Sequence, residues 1–392
     1  MSFPILTTAA EIDALIHTLE GQTVIGFDTE FHSERTYVPR LMLMQLSTPD
    51  AVYLVDPLGQ GDMGALFRAM ARPGLCVVGH ALKNDLRIAA MQWDVAMTEV
   101  FDTQIAAAFL GHGLQVGLSG LLANLLGVHQ PKGDQMSDWS QRPLPERMLG
   151  YAAGDVLHLL PLHQLLTAEL QKLGRLEWVL QECRELCDLS RYTRDPDQAF
   201  ARVAGGRRMD PREAGVLHAL AAERERLAIE EDLVPHFLLP DDVLVLLAKA
   251  APKQKRDLET DRRFGQRAVH RHAQRWLTAI AHGLLHPLKR PPSRPPPGPE
   301  LEAVVALLML LVNDIAAKSS LAPQLLVKRE TLLTALRDVP ESPEALAQAA
   351  ELTGWRADLL VEPLWALLTR KTLASCVADE TAGLKIAFVD AG

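Results

Sequence analysis

Through about residue 190, short apolar runs alternate with longer stretches of helical periodicity; beyond Arg191-Tyr192-Thr193-Arg194-Asp195-Pro196 the pattern is almost wholly helical. Compact apolar runs bounded by turn residues are the mark of buried strands. They predict strands at 23–29, 41–47, 51–55 and 75–79, with a short one near 98–101. The first three can pair antiparallel through tight connections such as Ser47-Thr48-Pro49-Asp50. Apolar positions three and four apart predict helices near 61–71, 81–92, 103–111, 117–127 and 144–172, the last opening on Pro143 and Pro145. Strands alternating with helices, then helices alone, predict an α/β domain over residues 1–190 with helical modules behind it.

The helical part repeats itself. Leu233-Val234-Pro235-His236-Phe237-Leu238-Leu239-Pro240-Asp241-Asp242-Val243-Leu244 aligns with Leu321-Ala322-Pro323-Gln324-Leu325-Leu326-Val327-Lys328-Arg329-Glu330-Thr331-Leu332, an offset of 88 residues. Each copy follows a helical run, turns at a proline and enters a new helix with an acid near its start, where the helix dipole favours one. Modules are expected at 207–285 and 300–375. Between them, seven prolines from Pro287 to Pro299 predict a semi-rigid extended linker over 286–299.

Certain acids stand out on this scaffold. Asp28 and Glu30 are two apart on the first strand, so they share a face; Tyr151 and Asp155 are four apart on a helix, so they share one too. The run Thr23-Val24-Ile25-Gly26-Phe27 delivers Asp28 to the carboxyl end of a buried strand, where open α/β sheets place ligands. Converging carboxylates repel unless a cation lies between them, and hard divalent ions prefer oxygen donors. The pattern therefore predicts a cage for Mg²⁺ or Mn²⁺. Asp85, early in the helix after Leu75-Cys76-Val77-Val78-Gly79-His80, gains its weight from that company.

These residues carry a family resemblance. Asp28-Thr29-Glu30-Phe31, with Arg35-Thr36-Tyr37 and Leu43-Met44-Gln45-Leu46, resembles the first exonuclease motif of ribonuclease D. His80 to Leu86 resembles the second, and Tyr151-Ala152-Ala153-Gly154-Asp155-Val156 the third. Asp102-Thr103-Gln104, Ser137-Asp138-Trp139 and Arg142-Pro143-Leu144 resemble further landmarks. The resemblance implies a ribonuclease H-like α/β exonuclease domain, a mixed sheet flanked by helices, followed by two all-α HRDC-like domains. It also implies a DEDD 3′→5′ exonuclease of the tyrosine branch, with Asp28, Glu30, Asp85 and Asp155 as metal-binding acids. Asp28 would bridge two divalent ions, Glu30 and Asp155 would complete one of them, and Asp85 would hold the other through water. Tyr151 would position the attacking water. The implied substrate is RNA, with tRNA precursors favoured.

Composition is consistent with this. At 392 residues and 48% apolar content, two or three cores are expected. No run reaches the roughly eighteen apolar residues of a membrane span, and Met1-Ser2-Phe3-Pro4 lacks the features of a signal peptide. Cys76, Cys183, Cys187 and Cys376 are dispersed and form no zinc-like double pair. A cytoplasmic monomer without a membrane partner is the expectation. The net charge of −9 runs against a phosphate-binding protein until it is divided. Residues 1–190 hold 12 Lys and Arg against 22 Asp and Glu (−10), residues 191–290 hold 19 against 14 (+5), and the remainder 9 against 13 (−4). The basic middle, through Arg207, Arg208, Lys253, Lys255, Arg256, Arg262, Arg263, Arg267 and Arg271, is the expected phosphate-tracking surface.

His80 and His158 fit structural roles as well as functional ones, and Lys132 and Arg142 beside Trp139 could touch phosphate or simply support a packed indole. Two other readings stay open on these residues: a DNA 3′→5′ exonuclease, since the acid cage does not distinguish sugars, and a noncatalytic RNA-binding scaffold.

Overall fold

The computed structural model describes residues 3–130, 137–205, 207–260, 267–289, 296–369, 371–379 and 383–390. Six strands, β1 (Ile5–Leu6), β2 (Val24–His32), β3 (Arg40–Ser47), β4 (Val52–Val55), β5 (Cys76–Gly79) and β6 (Glu99–Asp102), form one sheet in the order β1-β4-β3-β2-β5-β6. The β2–β3 and β3–β4 pairs are antiparallel, as their short connections predict, whereas β5 runs parallel to β2 and β1 parallel to β4. Eight helices occur along the same stretch of chain: α1 (Ala9–Glu20), α2 (Met63–Met70), α3 (Lys83–Trp93), α4 (Thr103–Phe109), α5 (Leu118–Leu126), α6 (Glu146–Leu157), α7 (Leu159–Lys172) and α8 (Leu176–Leu186). The mixed sheet flanked by helices is the architecture expected from the sequence.

Local differences have local causes. β1 has two residues, too few to show a period, and α1 starts on a capping box in which Thr8 and Glu11 satisfy each other's backbone amides. The helix expected over 144–172 is two helices, α6 and α7. The interruption falls at His158, where the Val156 carbonyl accepts hydrogen bonds from the His158 amide and, at 2.9 Å, from the Ser47 hydroxyl of β3.

By its contacts the chain forms two compact units. The first comprises Met1–Val100, Pro131–Leu160 and Arg184–Ser293. It holds most of the sheet and a helical module of α9 (Ala199–Ala204), α10 (Pro211–Glu230), α11 (Pro235–Leu238), α12 (Asp241–Ala250), α13 (Lys255–Thr260), α14 (Arg267–Arg271) and α15 (Ala273–Leu285). α10 and α15 cross at Gly215 and Gly283; a Cβ on either would lie 2.4 Å from backbone of the other segment, so only glycine permits this spacing. The loop after β2 packs into the same unit. Tyr37 joins the apolar cluster of Val216, Leu217, Leu220 and Trp276, its hydroxyl donates to Glu225 at 2.8 Å, and the Val38 amide donates to Asp232 at 3.0 Å.

The second unit comprises Phe101–Gln130, Pro161–Cys183 and Arg294–Gly392. Within it, Trp355 stacks on Trp178 with ring centres 5.2 Å apart and meets Phe109 edge-on, while Arg356 and Glu182 form a two-pronged ion pair. Its helices α16 (Pro299–Lys318), α17 (Pro323–Leu326) and α18 (Arg329–Ala335) begin 88 residues after α10, α11 and α12. The correspondence reaches single residues. Asp232 (φ +49°) and Ser320 (φ +50°) take the same left-handed turn, and the next amides, of Leu233 and Leu321, bond to Ala228 and Ala316. After α19 (Pro343–Ala349) and α20 (Trp355–Leu368) comes an antiparallel pair, β7 (Thr372–Asp379) and β8 (Gly383–Asp390), which the almost wholly helical sequence pattern does not predict. The cue was a short β-prone run, Ile386-Ala387-Phe388-Val389, after a glycine. Among the described residues no helix is long and apolar enough to cross a membrane.

Candidate active site

Central strand β2 positions the first two acids. Alternation puts Gly26, Asp28 and Glu30 on one face, the face on which α6 and the start of α7 lie. A Cβ at Gly26 would fall 3.3 Å from the Val156 carbonyl and 2.2 Å from the Ser47 hydroxyl. The missing side chain therefore lets the end of α6 settle on the sheet, and Ser47 fastens it there. Asp155, one residue before Val156, is thereby brought to Asp28. Neither Gly26 nor Ser47 is among the acids that reveal the site in sequence, yet both set its spacing.

The outcome is a cluster in which carboxylate oxygens of Asp28, Glu30 and Asp155 all lie within 4.8 Å of one another. Asp85 stands just outside that group. It is 5% exposed, sits in the first turn of α3, and accepts a hydrogen bond from the Thr29 hydroxyl. Its charge still reaches Asp28. Burial, then Asp85, Asp155 and Glu30, raise the Asp28 pKa well above the usual carboxylate range. Burial likewise raises Asp155 to about 7, against the opposing effect of a hydrogen bond from Tyr151. Tyr151 is half-buried one turn earlier on α6, its ring 6.1 Å from that of Trp139. Gln45, paired with Asp28 across β2 and β3, is fully buried with neither end of its amide hydrogen bonded.

This donor set fits a hard divalent cation. It consists of oxygens, it crowds more negative charge into a half-buried site than is comfortable without compensation, and its raised pKa values record that excess. Asp28, Glu30 and Asp155 would hold such an ion, with Asp85 beside them.

Other sequence candidates take structural places. Trp139 is 2% exposed and packs with Leu144, Met148 and Ala152. Arg142 grips Asp56 with two hydrogen bonds of 2.6 and 2.7 Å and caps the Trp139 and Met42 carbonyls, so its guanidinium is spent on anchoring the segment ahead of α6. Burial alone would raise the Asp56 pKa; the Arg142 bonds, the Leu58 amide and the Arg142 charge outweigh it and hold it low. Arg142→Ala is expected to lower stability by about 3 kcal/mol in urea denaturation, the order seen when one half of a largely buried pair is removed. Asp102 caps α4 through the Gln104 and Ile105 amides. Cys76, Cys183 and Cys187 are free thiols, and burial pushes Cys76 to about 11 and raises Cys187. Arg207, Arg208, Lys253, Lys255, Arg256 and Arg271 are exposed on the first helical module. Lys132 and the side chains of Arg262, Arg263, Arg267 and Cys376 lie outside the described residues.

Comparison with known proteins agrees with this geometry. Residues 3–171 match the 3'-5' exonuclease family model, and residues 213–280 match the HRDC domain. Ribonuclease D of Gluconacetobacter diazotrophicus is 34% identical over 372 residues, covering 93% of this chain and 92% of that protein. Ribonuclease D of Granulibacter bethesdensis is 33% identical over 377 residues, covering 93% and 92%. Among solved structures, Escherichia coli RNase D, described as an exoribonuclease involved in structured RNA processing, superposes with a TM-score of 0.82 at 28% identity, covering 94% of this chain and 99% of that one. With its acids gathered on β2 and α6 and relatives matched over nearly their whole length, the chain belongs to the ribonuclease D family of 3′→5′ exonucleases.

Proposed function

We propose that the protein hydrolyses phosphodiester bonds at RNA 3′ ends and releases nucleoside 5′-monophosphates, with Asp28, Glu30, Asp85 and Asp155 holding two Mg²⁺ or Mn²⁺ ions. The observation that carries this reading is the convergence of Asp28, Glu30 and Asp155 within 4.8 Å in a chain of this family. When bound, such ions supply the Lewis acidity that the reaction needs at neutral pH. The chain's own part is to hold the carboxylates in place against their mutual repulsion. Tyr151 is a hydrogen-bond donor in this arrangement, since its hydroxyl already donates to Asp155, which suits it to orient water. Tyr151→Phe is expected to lower the single-turnover rate roughly tenfold, within the range of positioned acid–base groups, with little change in RNA affinity. An unchanged rate removes Tyr151 from the mechanism.

The domain division 1–190, 207–285, 286–299 and 300–375, with a degenerate second HRDC-like module, is part of the same proposal, supported by the 88-residue correspondence of α10–α12 with α16–α18. So are tRNA precursors as substrate, a monomeric state and a cytoplasmic setting, the last in keeping with the free thiols. Digestion of RNA and DNA of matched sequence, labelled at the 3′ or 5′ end, with product mapping, tests the core of the reading. Metal-dependent release of 5′-mononucleotides from RNA 3′ ends is expected. Equal or faster digestion of DNA selects the DNA exonuclease alternative, and no digestion of either selects the scaffold.

A further inference from the structure

The loop between β2 and β3 borders a cavity of about 170 Å³ lined by Ser33, Thr36, Tyr37, Arg87, Arg194 and Pro235. Its charges do not balance. Arg87, half-buried on α3, bonds through Nε to the Met91 sulfur at 3.1 Å and has no carboxylate partner among the described residues. Arg194 acts on it electrostatically across the cavity. The carboxylate nearest to Arg194 is Glu225, 3.8 Å away, and Glu225 is already engaged by Arg202 at 3.0 Å and by the Tyr37 hydroxyl at 2.8 Å. Arg194 and Arg202 thus share one carboxylate, and the half-buried Arg87 has none among the described residues, in a place where uncompensated charge is costly.

An anion would restore the balance, and the cavity limits its size. Small-molecule sites typically offer ~300 Å³ or more, so this one admits a phosphate group and excludes a whole nucleoside. Guanidinium pairs are what phosphate recognition uses, and the Ser33 hydroxyl lines the same cavity, while those of Thr36 and Tyr37 already donate to the Val38 carbonyl and to Glu225. Position narrows the choice further. Ser33 lies three residues beyond Glu30 along extended chain, roughly 10 Å at strand spacing, too far for the bond being cut. We propose that Arg87 and Arg194 hold a backbone phosphate of the RNA strand upstream of the scissile bond, in a pocket built jointly by the catalytic domain, the connector carrying Arg194 and the first helical module. The inference rests on the RNA exonuclease reading and adds to it a fixed second point of contact. The helical module then shapes the RNA path through Val234 and Pro235 as well as through its exposed basic face.

The test uses the full chain without divalent ions and single-stranded RNAs that each carry one neutral methylphosphonate linkage at a successive position. In the wild type, one upstream position is expected to weaken binding about tenfold, and the same linkage to have no effect in Arg87→Met and an intermediate one in Arg87→Lys. The salt dependence of log affinity falls by about one unit in Arg87→Met, the signature of one lost phosphate contact. Neutral linkages tolerated equally at every position overturn the proposal, as does a wild-type salt slope in Arg87→Met. Inorganic phosphate binding lost in Arg87→Met, without any positional effect in RNA, assigns the pocket to a free anion and also overturns it. If Arg87→Met fails to fold, the positional scan in the wild type decides by itself. Failure of the nuclease reading looks different: no mononucleotide release from unmodified RNA with metal, while the positional effect on binding persists.

Discussion

Asp28→Asn is expected to reduce RNA hydrolysis at least about 10³-fold, since the several kcal/mol contributed by metal-ion catalysis are lost with the ligand, and at the same time to raise the melting temperature of the metal-free protein. The two effects have one cause. Asp28 is half-buried among Glu30, Asp85 and Asp155, and its pKa is raised well above normal, so folding without a cation either forces a charge into that field or takes up a proton to avoid it. An amide of the same shape removes the charge and keeps the packing. For a fold of this size a gain of ~1–2 kcal/mol corresponds to a few degrees. Scanning calorimetry with and without Mg²⁺ checks the pair. The wild type should gain strongly from Mg²⁺ and the variant little; equal metal-induced shifts, or retained turnover in a clean preparation, would remove Asp28 from the cage.

The stability of the metal-free protein should fall between about pH 4 and 7, and Mg²⁺ should reverse the trend. Asp155 titrates near 3.8 in the unfolded chain and at about 7 in the fold. Between those values the native state binds the proton and the unfolded state does not, so this group's contribution is fully present below about pH 4 and is lost as pH passes about 7. At 1.36 kcal/mol per pH unit the loss is at most about 4 kcal/mol. Divalent ions compete with that proton, so their affinity should rise over the same window. The expected result is a Mg²⁺-induced rise in melting temperature that is several-fold larger at pH 8 than at pH 6. Asp155→Asn should flatten the pH trend; a trend unchanged in that variant would place its origin elsewhere.

Much of this was legible because it is local. Asp28 with Glu30, and Tyr151 with Asp155, announce a shared face through periods of two and of four residues, and the prolines at 235 and 323 mark the repeat. What was hidden depends on distant partners. Nothing near Gly26 says that its missing side chain admits Val156, or that Ser47, 109 residues before Val156, fastens the helix there. Thr29 looks like a spacer between two acids, yet it holds Asp85. Arg142 reads as a basic residue beside a tryptophan until Asp56 is found against it. The C-terminal strand pair was missed because two short strands after a long helical stretch leave no period to detect.

The twin left-handed turns behind α10 and α16 behave as handles. At the first, the Asp232 carboxylate takes the Val38 amide; at the second, the Ser319 carbonyl, at the position matching Glu231, takes the Arg175 guanidinium. At the first turn the side chain belongs to the turn itself, so Asp232→Ala abolishes the grip; at the second it belongs to the partner, so Arg175→Ala abolishes it while a substitution of Ser319 leaves the carbonyl in place. Copies of one helical hairpin thus attach at neighbouring points of the same turn while differing in which side of the contact a mutation must strike.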